Sequence, residues 1–542
     1  MSTLPLRRLA WTLPLIALAL VLGAAVPRLA AGPVLTQAIQ PAPFPPGFDF
    51  PATQEEVASW SGPTSGPATR THGWNLFAGL NQRTANGDYV WRTWYTSTQA
   101  FTNQYNSVRS GVSSRPTTLI GHNRANAIGG DGNPMLSVPG APHYPVPKRV
   151  LDAYPGCVRT VSGEAKLIDG PTFQSNGDVM IAGVIYNQDA FNHIRSQRLY
   201  DAGQLDFLLP PGSSSPPSAI QPFPSGSIVL KPMLWPVQGR GYTALPVWDD
   251  LLPSTDNSHN DRGKTYSGFE VQARWNRAVA VTGNIGGPPE PAAVPVTYLH
   301  NVLTADKQRQ YGPITYTSAA VVPVSDFYSF QYSAEDLRNM DRCDRALLDA
   351  SAIWAYNRPF AAGDFLVLIA MHIMTKERPE RPDWTFQSVW WHDKARLCSD
   401  EMPCQLRYGG IRPKDVPGPA TWKNYMLVTT YGEPQKPGNL NTWPTYLRDE
   451  DPKKWPVAYN PYIELAAQHP IETNCINCHH RAAWPSISLP SRRTPNRHSS
   501  YLAGGTDVPD TLDVFTQQDK IFNGLLTLDS MWAVSDRANY PK

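Results

Sequence analysis

The 542-residue sequence predicts an α+β fold, with a sheet-dominated middle region and a mainly helical segment at the C-terminal end. Three observations lead there. Short apolar runs bounded by Gly, Pro and Ser recur between residues 151 and 440, as the strands of a layered sheet do. One long stretch, Ala334 to Tyr356, has helical spacing and a stop or start signal at each end. After residue 450 helical patterns return, at Ile463 to Gln468 and at Phe515 to Ser530. No repeat of fixed period organises the chain.

Taken in order, residues 1–31 form a signal peptide. Arg7 and Arg8 make a short positive start, Leu9 to Val26 is apolar, and small residues follow at Gly23 to Ala25 and at Ala30 and Ala31. An uncleaved N-terminal anchor is the alternative, because the apolar run approaches the length that spans a bilayer. No second run reaches that length, so no transmembrane domain is expected after cleavage. Residues 32–70 are a Pro-rich arm, with Pro41 to Pro46 typical of it. Residues 71–150 are an aromatic-rich helix and loop region. A helix starts near His72 and carries Trp74, Phe77 and Leu80; Trp91, Trp94 and Tyr95 follow.

Residues 151–440 read as a β-rich domain. Asp178 to Tyr186 and Ser227 to Val237 are strands, separated by a helix over Asp189 to Leu199. Pro232 places the second strand at a sheet edge or at a bulge. The helix Ala334 to Tyr356 has Ser333 as its N-cap, Glu335 and Asp336 at its positive end, and Pro359 just beyond it. Phe365 to Met374 and Trp384 to His392 make a hairpin, and Tyr425 to Thr430 is a further strand.

Charge excludes some partners. With 47 Lys+Arg against 45 Asp+Glu the formal charge is +2, and no basic stripe suggests nucleic acid. The 17 Trp and 23 Tyr suit cores and covered loops better than a ligand groove. An exported chain meets an oxidising compartment, where thiols pair. Cys398 and Cys404 enclose a short loop and form the local disulfide candidate. Cys157 and Cys343 either pair at long range or remain buried thiols, since connectivity does not follow from sequence.

The chemistry is concentrated at Thr473-Asn-Cys-Ile-Asn-Cys-His-His480. Cys475, Cys478 and His479 have the C-x-x-C-H spacing of covalent haem attachment. Two thiols on one helical turn can each add to a haem vinyl group, and the next imidazole then faces the iron. Over residues 450–542 the chain resembles the c-type cytochromes. That resemblance implies one covalent haem c, held by Cys475 and Cys478, with His479 as proximal ligand. It also implies attachment outside the cytoplasm. The family's distal ligand is a Met, and Met531 is the only Met downstream of the motif, although just eleven residues follow it. His498, an upstream donor or an open iron position are the other outcomes. The segments Met371 to Lys376 and Trp384 to Trp390 further resemble large uncharacterised secreted bacterial monohaem cytochrome-like proteins.

Competing patterns are weaker. Zinc would need two more ligands, and a thioredoxin-like pair needs a βαβ setting. A disulfide between Cys475 and Cys478 is strained at that spacing. Gly239 to Ala244 half-matches a dinucleotide fingerprint without the βαβ unit it requires. His372, mid-strand in an apolar run, reads as a hydrogen-bonded core histidine, and His480 as a surface or supporting residue. The resulting expectation is a periplasmic or secreted monohaem c-type cytochrome-like protein, binding haem and passing electrons to an unidentified redox partner protein. The alternatives are a haem-dependent oxidoreductase of peroxidase or oxygenase type with an open iron position, and a ligand-binding haem sensor. No distal acid–base set for catalysis can be assembled from the sequence.

Overall fold

The computed structural model describes residues 40–53, 55–57, 66–102, 142–161, 163–248, 272, 275, 277–284, 289–304, 306–377, 384–395, 416–418, 420–430, 460–463, 475–480, 482–485 and 522–540. Its frame is a nine-stranded antiparallel sheet. Four long neighbours dominate it: β1 (Ile228–Val237), β2 (Phe365–Thr375), β3 (Thr385–Trp391) and β4 (Tyr425–Thr430). The expected hairpin forms as β2 and β3, with Ala370 opposite Trp390 and Thr375 opposite Thr385. Every residue of β2 and β3 is buried, because both faces of the sheet are covered.

Side chains alternate across a strand, so the two faces can be assigned residue by residue. On one face lie Ile373, Thr375, Gln387, Leu427 and Thr429. Helix α1 (Gly66–Leu80) packs there at Gly73, where an added Cβ would come within 2.8 Å of Thr429 Cγ2. On the opposite face lie His372, Met374, Lys376, Phe386 and Ser388, and that face receives the C-terminal segment.

Pro232 sits in a central strand, not at an edge. Its carbonyl accepts from Gly183 N at 3.2 Å, at the gap between two short strands, Ile181–Ala182 and Ile185–Tyr186. The missing N–H therefore faces an interruption in the neighbouring ladder, which is how an interior proline is tolerated. On its other side the register with β2 shifts between Leu368 and Ala370, a bulge close to where Pro232 meets Met371.

The expected long helix is two helices. Ser333 does cap the first, Ala334–Asn339, in a capping box with Asp336. Met340 is then extended, and Asp341 starts α2 (Arg342–Tyr356) by accepting from Cys343 N at 2.7 Å and Asp344 N at 3.3 Å. Asp341→Ala should cost about 1 kcal/mol, the usual worth of an N-cap. A urea midpoint indistinguishable from wild type would count against that role. Cys157 and Cys343 are joined in a disulfide at the start of α2, with Cα atoms 5.1 Å apart. Cys398 and Cys404 lie outside the described residues.

The expected fold class needs correction. Among the described residues helix and strand are nearly balanced, at 29% and 31%, in many antiparallel sheets. Nor is the described part of 450–542 a mainly helical haem-binding segment. It contributes two six-residue helices, α3 (Cys475–His480) and α4 (Trp532–Arg537), and two short strands, Ala483–Trp484 and Leu526–Thr527. The strands join Ser218–Ala219 in a three-stranded sheet. The apolar residues that suggest a helix ending at Ser530 are buried instead by pairing with a distant strand: Leu526, Leu528 and Phe522 are fully covered. Tertiary pairing overrides local propensity here. Asp529 and Ser530 then take φ of 45° and 63°, which no helix continues through. One cluster of buried side chains runs from Phe48 to Val534.

Candidate functional site

The site is assembled where α3 meets the His372 face of the sheet. Cys475 opens α3 and is buried, with its Sγ 3.6 Å from His372 Nδ1. Cys478 lies one turn along the same helix. His479, near its end, donates from Nδ1 to the Ser530 carbonyl at 2.8 Å. A carbonyl only accepts, so Nδ1 carries the ring proton and Nε2 keeps its lone pair. The His479 ring stands 5.1 Å from Phe386 and 5.5 Å from the His372 ring, at 30° to the latter. His372 in turn stacks on Phe386 at 5.6 Å.

Electrostatics keep both rings neutral. Burial pushes His479 down to about 4, with His480 and Lys231 adding to the effect and the Ser530 carbonyl opposing it. Burial holds His372 well below the ordinary histidine range, helped by His479 and Lys231. Lys231 is the register partner of His372 on β1. Neutral imidazole is the form that binds a metal.

The Ser530 carbonyl is held from below. Lys376, at the end of β2 and fully buried, pairs with Asp529 at 2.8 Å. Asp529 also accepts from Phe223 N at 2.8 Å. Its carboxyl is raised by burial and drawn back by Lys376. This pair fixes the left-handed turn at Asp529 and Ser530, and the turn sets the carbonyl against His479.

No family model, curated protein or solved structure matches the chain. The site therefore stands on its own geometry. Among the described residues no group of three or more His, Cys, Asp or Glu side chains is gathered as a metal site. What is present is the buried His372 imidazole, the half-buried His479 imidazole, the buried Cys475 thiol and the Phe386 ring beside both histidines.

Of the expected site residues, Cys475, Cys478 and His479 share α3. Met531 is 2% exposed and directly follows Ser530, whose carbonyl meets the Nδ1 edge of His479. His480 is buried at 3%, not at the surface. His498 and the expected N-terminal export signal lie outside the described residues. Among the described residues no helix is long and apolar enough to cross a membrane. Sequence reasoning misses Phe386, Lys376, Asp529 and Ser530, and takes His372 for a satisfied core residue. The only local signal is Lys376 itself, a charge at the end of an otherwise apolar strand.

Proposed function

We propose that this is an exported, periplasmic monohaem c-type cytochrome-like protein that transfers electrons to a redox partner protein. The observation that carries the reading is the Nδ1–H of His479 bound to the Ser530 carbonyl, within a C-x-x-C-H sequence. Metal-ligating histidines are commonly oriented in this way, with the second nitrogen donating to a carbonyl. A haem iron held here would supply one-electron exchange. Cys475 and Cys478 would tether the group, His479 would offer Nε2, and Phe386 with the apolar sheet face would exclude water. The Cys157–Cys343 disulfide supports an oxidising compartment, and with it export.

The test is covalency. Protein made in a periplasm with haem-attachment machinery should keep its haem absorption through denaturation and acid–organic extraction. Cys475→Ala together with Cys478→Ala should abolish that retention. Haem that extracts freely from the wild-type chain overturns the reading.

A further inference from the structure

The C-terminal end of α2 borders a cleft that the haem reading does not use. Its volume is about 360 Å³, at the small end of the roughly 300–1,000 Å³ that ligand pockets occupy. Three stretches far apart in sequence line it: residues 145–149, Asn301, and Ile353 with Asn357. Val146 and Ile353, both buried, supply its apolar part together with the rings of Pro145 and Pro147.

These stretches are tied to one another without a ligand. Trp354 Nε1 donates to the Pro145 carbonyl at 3.1 Å, and the Trp354 carbonyl accepts from His300 N at 2.8 Å. Asn357 N donates to the Ile353 carbonyl at 3.0 Å and closes α2 with φ of 64°. Asn301 has φ of 58°, and asparagine is among the few residues with a side chain that take this left-handed backbone readily. The two turns bring their side chains together, with Asn301 Nδ2 donating to Asn357 Oδ1 at 3.0 Å. Whichever way each amide is turned, the pair keeps an acceptor on one residue and a donor on the other.

Charge at the rim has one sign. Arg149 is exposed and has no ion-pair partner among the described residues. Lys148 beside it is taken by Asp152 at 2.7 Å. Among the described residues no acidic side chain lines the cleft. The negative end of α2 works against an anion, but the Ile353 and Trp354 carbonyls are already bonded to the N–H groups of Asn357 and His300.

We propose that this cleft binds a small N-acyl amino acid with an apolar side chain. The carboxylate meets the Arg149 guanidinium, whose planar fork matches two carboxylate oxygens. The acyl amide meets the asparagine pair, and the side chain covers Val146 and Ile353. Because the walls are already fixed, little ordering is charged against binding.

The experiment titrates the full chain with N-acetyl-leucine by calorimetry, beside N-acetyl-leucinamide, which has the same body without the charge. N-acetyl-leucine should bind saturably at one site, about fivefold more tightly than the amide, with the difference shrinking as salt is added. Arg149→Gln changes only an exposed side chain and should bring the two ligands to the same affinity. Asn357→Gly keeps the left-handed backbone, removes the side-chain amide and should weaken both ligands alike. Equal affinities for the two ligands in the wild-type chain overturn the proposal. So does N-acetyl-leucine binding unchanged by both substitutions, and so does the absence of saturable binding. None of these outcomes bears on whether the haem resists extraction.

Discussion

Lys376→Met is expected to destabilise the protein by about 3–5 kcal/mol, the cost of leaving a buried charge without its partner. Lys376 is fully buried, and its ammonium lies 2.8 Å from Asp529. Methionine fills most of the same space and removes the charge, which isolates the carboxylate. The effect should extend beyond stability. Asp529 and Ser530 both hold left-handed backbone, with φ of 45° and 63°. Non-glycine residues keep such conformations only where their surroundings enforce them. Without the pair the turn relaxes, and the Ser530 carbonyl leaves His479. Denaturant unfolding measures the first effect, and the nitrogen chemical shifts of His479 measure the second. Removing the charge on both sides, in Lys376→Met with Asp529→Asn, should recover most of the lost stability, because no buried charge then lacks a partner. A single variant within 1 kcal/mol of wild type, by the same measure, would show that the pair holds nothing in place.

Removing the disulfide should have an effect of similar size. Cys157 and Cys343 close a loop with a sequence separation of 186, and the chain-entropy account of such a cross-link gives about 5 kcal/mol. The bridge fastens the 3-10 turn Pro155–Cys157 to the start of α2. Cys157→Ala with Cys343→Ala should lower the urea midpoint and steepen the dependence on urea, since the denatured chain becomes more open. A midpoint shift with an unchanged slope would place the stabilisation in the folded state instead.

The legible parts of this fold are those whose partners lie nearby in sequence. The β2–β3 hairpin follows from its two apolar runs, and Ser333 and Asp336 announce a helix start without help from elsewhere. Asp341 ends that legibility, because an N-cap inside a helical pattern looks like one more polar residue on a solvated face. Pro232 is half legible: the bulge expected of it is close by, but the strand is central and not an edge. Proline rules concern its missing N–H, and the interruption at Gly183 that absorbs the loss is visible only once the strands are aligned. The candidate site divides in the same way. Cys475, Cys478 and His479 are fixed by spacing within one helical turn. His372 and Ser530 reach the site through the sheet and through a turn, 103 and 51 residues from their contacts, and neither carries a local mark.

The strand Leu526–Thr527 closes a sheet whose parallel partner is Ser218–Ala219, some three hundred residues earlier. Such a contact sets an order in time. Pairings at that separation form late, because loop closure must come first. Until residue 530 has emerged, His479 has no carbonyl to meet, and the edge of α3 has no lid. On the proposed function, that interval is when Cys475, buried in the finished fold, is open to a large planar group. A chain cut short after Thr527 would still contain the whole attachment sequence. It would lack the turn that aims the histidine.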